Sequence, residues 1–299
     1  MALSVAMWAL NVSPPLNGLD AWAAKVDAKL AEAKSQGADL LVMPEYASVQ
    51  WLSFAPKGMT VDREIVWMAS QADDALAALR PLVAKHEVAL LAGTMPVNVE
   101  AGQANRAHLL LPEGQEFVQD KLCMTPQELN PEWWNLETGN TVNIVSWRGL
   151  RLAVAICLDI ELPALAARLA GLDLDIILVP SMTSALSGYH RVFDCAKARA
   201  VETQTIVCPV GTIGYTGYRD LVEPNVSGAA VFCPCEELLG STGVLGSVGP
   251  QNNDDGDGPM LVVSDLPVET VAAMRKGDAY VWPGAWSAEH LKINDPANS

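Results

Sequence analysis

The chain of 299 residues contains nothing approaching the roughly 18 uninterrupted apolar residues of a membrane-spanning helix. Positive charge is scarce: 19 Lys and Arg stand against 35 Asp and Glu, for a net charge of −16. A field of that sign repels phosphate backbones and anionic headgroups, so neither nucleic acid nor a membrane surface is an expected partner. An acidic small molecule stays open, because a local basic group can override the net field. The apolar start, Met1 to Leu10, has no basic residue before it; the first lysine is Lys25, and Asn11 and Pro14-Pro15 follow closely. It reads as a first core strand and not a signal peptide, with a cytoplasmic location expected. Six cysteines (Cys123, Cys157, Cys195, Cys208, Cys233, Cys235) are too few and too irregularly spaced for a disulfide scaffold. Cys233-Pro234-Cys235 lacks the two-residue gap of zinc and thioredoxin motifs and has no nearby His, so no metal is expected and most thiols should be buried and inert. The segment from Asn11 to Gly18 also lacks the glycines of a nucleotide-binding strand-to-helix turn, which excludes a doubly wound nucleotide-binding protein.

What the chain does have is 50% apolar residues, enough for a sizeable core, arranged as short β-rich runs alternating with helical stretches. Strands are expected at Leu3–Leu10, Leu40–Met43, Val88–Gly93, Asp175–Val179, Thr205–Val210, Ser227–Cys233 and Leu261–Asp265. Helices are expected at Asp20–Gln36, with Trp22, Val26 and Leu30 on one stripe, and at Asp73–His86, with Leu76, Leu79 and Val83 inward. Further helices are expected at Pro163–Ala170, His190–Glu202 and Val268–Lys276. Two hairpins interrupt the alternation: Arg106–Leu111 with Glu116–Leu122, and Thr141–Trp147 with Arg151–Ile156. Gly249–Gly258 reads as a loop. Crossovers favour parallel pairing and the hairpins add antiparallel pairs, so the class is α/β with helices outside mixed sheets. No composition shift divides the chain. One domain is expected over residues 1–280, followed by a tail at 281–299.

Three strand ends carry something other than an aliphatic side chain. Val42-Met43-Pro44-Glu45-Tyr46 ends on a carboxylate, Val118-Gln119-Asp120-Lys121 on an ammonium, and Ala155-Ile156-Cys157 on a thiol. Side chains at the carboxyl ends of strands line the ligand crevice of α/β sheets. A thiol, an acid and a cation meeting there form an acyl-transfer kit: the thiol attacks, the carboxylate takes its proton, and the cation or a backbone N–H holds the oxyanion. Each piece alone has an inert reading: a buried core cysteine, a solvated turn acid, an exposed hairpin lysine.

The order Glu45, Lys121, Cys157, with these flanks, resembles the nitrilase superfamily of carbon–nitrogen hydrolases, in its amidase-like branch. Leu41-Val42-Met43-Pro44-Glu45 is similar to the family's glutamate motif. Asn105, the Pro112–Gly114 turn and Asp120-Lys121-Leu122 are similar to its lysine hairpin, and Ile156-Cys157-Leu158-Asp159-Ile160-Glu161-Leu162-Pro163 to its nucleophile elbow. Val179-Pro180-Ser181, Lys197 to Glu202, Ser227 to Ala230 and Ser264-Asp265-Leu266 resemble the segments that follow.

The resemblance implies a four-layer α-β-β-α sandwich and a Glu45–Lys121–Cys157 triad acting on a small-molecule amide or nitrile. It implies no metal or organic cofactor, and a homodimer or larger homo-oligomer. Glu128 stands seven residues after Lys121, where the family often has a second glutamate. Its position after Thr125-Pro126 equally suits an exposed helix-start acid. In the implied scheme Glu45 is the general base, Lys121 favours the Cys157 thiolate, and Lys121 with the Leu158 N–H holds the adduct. Leu158-Asp159, with Glu161, departs from the Trp-Glu common after the nucleophile of true nitrilases and tilts the expectation toward an amide. Leu158 in place of an aromatic implies a less bulky wall. Tyr46, Trp134 and Met182 are candidates for the pocket wall, with plain core or lid packing as the competing reading. A catalytically silent binding module would lack a triad member, and all three are present.

Overall fold

In strand β1 (Val5–Trp8) both faces are apolar, and the two faces go to different places. Val5 and Met7 join one buried cluster, while Ala6 and Trp8 join another. The same division runs through β2 (Leu40–Val42) and the start of β3 (Ala89–Val99): Leu40, Val42, Ala89 and Leu91 face one way, Leu41 and Leu90 the other. A strand covered on both sides needs no polar face, and its period of two shows only in which core each residue enters. The computed structural model describes residues 3–215, 224–252, 256–280 and 288–292.

Between these strands lie α1 (Leu19–Ser35) and α2 (Val61–His86), which cover the outer face of the first sheet. That sheet continues through β4 (Gly102–Leu110) and β5 (Glu116–Asp120). The second half of the chain gives β6 (Val145–Trp147), β7 (Leu150–Val154), α3 (Pro163–Leu169), β8 (Ile176–Met182), α4 (Leu186–Thr203), β9 (Ile206–Thr212), β10 (Ser227–Phe232) and β11 (Val244–Gln251). Strand β12 (Met260–Val263) returns to the first sheet, and α5 (Val268–Ala273) follows. The strand orders are β12-β1-β2-β3-β4-β5 and β11-β10-β9-β8-β7-β6. Crossovers make β1–β2–β3 and β7–β8–β9 parallel, and the hairpins are antiparallel, as expected. The inner faces meet in one core, with α3, α4 and α5 packed on the second sheet. The result is the expected α-β-β-α sandwich. No helix among the described residues is long and apolar enough to cross a membrane.

Three elements differ from the expectation. Helix α2 starts at Val61, not Asp73: Ile65, Met68 and Ala72 extend the buried stripe of Leu76, Leu79 and Val83 by three turns. The acidic pair Asp73-Asp74 has the composition of a helix start, but the stripe passes straight through it. Strand β11 occupies Val244–Gln251, where Gly246, Gly249 and Pro250 hide an edge strand, so it runs into the expected loop. Residues 253–255 of that loop, and 281–287 and 293–299 of the expected tail, lie outside the described residues.

The third difference bears on function. Strand β3 does not stop at Gly93 but continues to Val99, with a register shift between Leu91 and Thr94. Gly93 adopts φ +68°, and a Cβ there would lie 2.0 Å from the Pro44 carbonyl oxygen. The irregularity lets the Thr94 N–H donate to that same carbonyl at 3.2 Å. A glycine is required by both the backbone angle and the contact. Gly93→Ala is therefore expected to lower the unfolding free energy in urea by about 2–3 kcal/mol and to disturb the residue after Pro44.

Candidate active site

Three strand ends converge, and each turns in an unusual way. After β2 the chain passes Pro44 and Glu45 to Tyr46, whose φ is +50°. The Thr94 hydroxyl accepts from the Tyr46 N–H at 2.8 Å, and the Thr212 hydroxyl donates to the Glu45 carbonyl at 2.7 Å. The glutamate turn is thus pinned from both sheets. After β5, the Lys121 N–H donates to the Asn105 carbonyl at 2.9 Å. After β7, Cys157 sits at φ +50° at the head of a 3₁₀ turn, Cys157–Glu161. A non-glycine residue in the left-handed region is strained, and here it turns the thiol out of the strand direction at a sharp strand-to-helix elbow.

The side chains meet in a buried polar cluster. Lys121, 1% exposed, places its Nζ 2.8 Å from Glu45 Oε1 and 2.9 and 2.7 Å from the two oxygens of Glu128. Asn105 Nδ2 donates to Glu45 Oε1 at 3.0 Å, and the Met182 N–H to Glu45 Oε2 at 2.9 Å. Cys157 is 6% exposed, with Sγ 3.8 Å from the Met182 carbonyl oxygen. Glu128 is not the exposed helix-start acid that its position equally suited: residues 126–129 form a turn and the side chain is buried. It forms a reciprocal capping pair with Thr125, and its carboxylate is buried, accepting in addition from the Tyr46 hydroxyl.

Two carboxylates on one ammonium do not titrate alike. Burial pushes Glu45 up to about 7, against the pull of Lys121 and with the Glu128 charge adding to the rise. Burial acts on Glu128 too, but Lys121, the Tyr46 hydroxyl and Thr125 outweigh it and hold its carboxyl below the usual range. Burial also works against Lys121, yet the surrounding negative groups keep it an ammonium. Burial and the Glu45 charge hold the Cys157 thiol well above its ordinary value. The expected pull of Lys121 toward a thiolate is present but outweighed. The resting pair is a thiol beside a carboxyl that titrates near neutrality, which is what a general base needs.

A third carboxylate, Asp159, ties the parts together. It accepts from the N–H groups of Leu122 (3.2 Å), Cys123 (2.8 Å) and Ile156 (3.1 Å), joining the lysine segment to the elbow. Burial lifts it to about 6 against those three donors. Arg199, buried on α4, donates to the carbonyls of Ile160 and Glu161 and holds the far side of the same turn. Both residues lie in motif segments of the sequence, whose pattern alone gives them no task.

Of the expected pocket residues, Tyr46 stacks edge-on against Trp134 at 4.7 Å between ring centroids, while its hydroxyl serves Glu128. Leu158 is half-buried beside the thiol. Met182 acts at the site through its main chain, which side-chain identity does not reveal. Thr94 and Thr212 were missed for the related reason that hydroxyls capping main-chain groups leave no spacing signature. His190, near the start of α4, is exposed. Of the six thiols only Cys157, Cys208 and Cys233 are buried, fewer than expected. Among the described residues no cluster of three or more His, Cys, Asp or Glu is arranged to hold a metal ion. Asp159→Asn would face an amide NH₂ toward N–H donors, and should cost about 2–3 kcal/mol in a urea titration. An unchanged midpoint would remove Asp159 as the tie.

The chain is similar to known proteins. A probable hydrolase of Bacillus subtilis is 28% identical over 247 residues, 82% of this chain and 46% of that protein. An omega-amidase of Escherichia coli is 27% identical over 182 residues, 60% of this chain and 64% of that protein. The chain thus spans less than two thirds of the length of either relative. Among solved structures, a glutamate-to-glutamine variant of an amidase from Nesterenkonia sp. AN1 carries the acetamide moiety of fluoroacetamide covalently at its active-site cysteine. It shares the fold, with a TM-score of 0.68 at 21% identity, covering 91% of this chain and 93% of that one. The sequence pattern of carbon–nitrogen hydrolases matches residues 5–247, most of the chain, and the protein belongs to the carbon–nitrogen hydrolase family.

Proposed function

We propose that this protein is a thiol amidase that hydrolyses the carbon–nitrogen bond of a small amide through a thioester on Cys157. The observation that carries the reading is the buried Lys121 Nζ, 2.8 Å from Glu45, at the elbow that presents Cys157. Glu45 takes the thiol proton as Sγ attacks the carbonyl carbon, so the thiolate forms only as it is consumed. This suits a thiol held high by burial next to a base near 7. The oxyanion develops against the Lys121 ammonium and the Leu158 N–H. Glu45 returns the proton to the departing nitrogen, ammonia or amine leaves, and the thioester remains. Glu45 then draws a proton from water, which attacks the thioester and releases the acid and the thiol.

Glu128 has a supporting part. By neutralising Lys121 it leaves Glu45 as the carboxyl that changes protonation state, and its charge helps place Glu45 near neutrality. An amide is favoured over a nitrile by Leu158-Asp159 after the thiol and by the amidase names of the relatives.

The test is ammonia release from small amides, ω-amides, N-carbamoyl compounds and nitriles, with native protein and Cys157→Ala side by side. Release from amides, reduced by about a thousandfold or more in the variant, is expected. Release from nitriles alone would replace the thioester by a thioimidate, and release unchanged in the variant would overturn the nucleophile. The pH dependence follows from Glu45: the base is active when ionised, so kcat/KM rises with pH and levels off above about 7. An acid limb near 4 to 5, the ordinary range of a free glutamate, would contradict the burial argument.

A further inference from the structure

We infer that Asn105 is a positioning residue for the Glu45 carboxylate, fixing which oxygen faces Lys121 and which faces the elbow. The inference rests on the reading of Glu45 as general base and adds a second control on that group. On β4, Ala107 and Leu109 enter the core between the sheets. Asn105 occupies the same face two residues earlier, polar and fully buried. Its Nδ2 donates to Glu45 Oε1 at 3.0 Å, the oxygen that also accepts from Lys121 Nζ. Its main-chain carbonyl accepts from the Lys121 N–H. One residue therefore holds both members of the ion pair, one by side chain and one by backbone.

With Oε1 committed to two donors, Oε2 is left at the Met182 N–H, and the Met182 carbonyl lies beside Cys157 Sγ. The carboxylate cannot rotate without breaking contacts at both ends.

The other end of the amide strengthens the case. Among the described residues no donor reaches the buried Asn105 Oδ1. A buried acceptor left bare is unfavourable, and an apolar side chain of similar volume would avoid it. A side chain serving stability alone is poorly explained by that arrangement, whereas one supplying a neutral donor to a catalytic carboxylate is explained by it. The charged and titratable groups facing Glu45 are Lys121 after β5, Glu128 in the following loop and Cys157 at the elbow. Asn105 differs from all three because its donor does not change with pH. A hydrogen bond to the ionised form favours ionisation, so its removal raises the pH at which Glu45 becomes a base.

The experiment follows iodoacetamide labelling of Cys157 in the native protein by peptide mass spectrometry across pH, with amide kinetics and urea unfolding alongside. The variants are Asn105→Ala and the near-isosteric Asn105→Leu, so that one can decide if the other fails to fold. Native labelling should rise through a step near pH 7. In the variants the step should move up by about one pH unit, kcat should fall about fivefold at pH 7 and KM should change less than about twofold. The urea midpoint of each variant, taken at the same pH, shows whether it is folded under the conditions of the kinetics. A step at the native pH in a folded variant overturns the inference, as does a loss confined to KM. A native profile without a step overturns Glu45 as the base, and the inference with it. A native protein that releases no ammonia from amides, yet whose step moves in the variants, upholds Asn105 while rejecting the amide substrate.

Discussion

Everything at this site depends on one buried ammonium held between two carboxylates. Taking Lys121, Glu45 and Glu128 out of water together is expensive, and mutual attraction offsets that cost only if the remaining hydrogen-bonding capacity is also met. The structure meets it from every side. Glu128 is closed off by the Tyr46 hydroxyl and Thr125, and Glu45 by Asn105 and the Met182 N–H. The donors are shared unequally: Glu128 takes two of the three Lys121 contacts, Glu45 one. Together with the Tyr46 and Thr125 donors, that inequality holds Glu128 below the usual carboxylate range, while burial lifts Glu45 to about 7.

The same constraint explains why the site needs both sheets. The first sheet supplies Glu45, Lys121 and Asn105; the second supplies Cys157, the Met182 N–H and the Thr212 hydroxyl. Neither half carries Cys157 and Glu45 together. Closing the apolar faces of the sandwich therefore assembles the chemistry, and Asp159 locks the assembly by bonding the segment after Lys121 to the elbow before Cys157. Strain at Cys157 and Tyr46, both in the left-handed region, persists because neighbours on either side over-determine those turns.

How much of this is legible in the sequence depends on whether a side chain or a backbone carries the function. Glu45 and Cys157 stand at the ends of aliphatic runs, where a polar residue is conspicuous, Lys121 is picked out by its hairpin and by the family resemblance, and the three are found together in the structure. The sandwich is legible for a similar reason, since β1 to β3 read as strands buried on both faces. Glu128 is legible as a capping acid and as a lysine partner, and no spacing argument separates roles that a single carboxylate fills at once. Met182 is named for its side chain but works through its N–H, a contribution that any residue type except proline could make there. The first three turns of α2 and strand β11 are obscured by local composition, an acidic pair in one and glycine and proline in the other, which tertiary packing overrides.

The central claim is that burial and the Glu128 charge make Glu45 the base. Infrared titration of the native protein against Glu45→Gln addresses it without any substrate. The account predicts a protonated-carboxyl band with a midpoint near pH 7 that is present in the native protein and missing from the variant, where the Asp159 band with its midpoint near 6 remains. A native protein with no carboxyl titrating near 7, or a component near 7 that persists in Glu45→Gln, would contradict it.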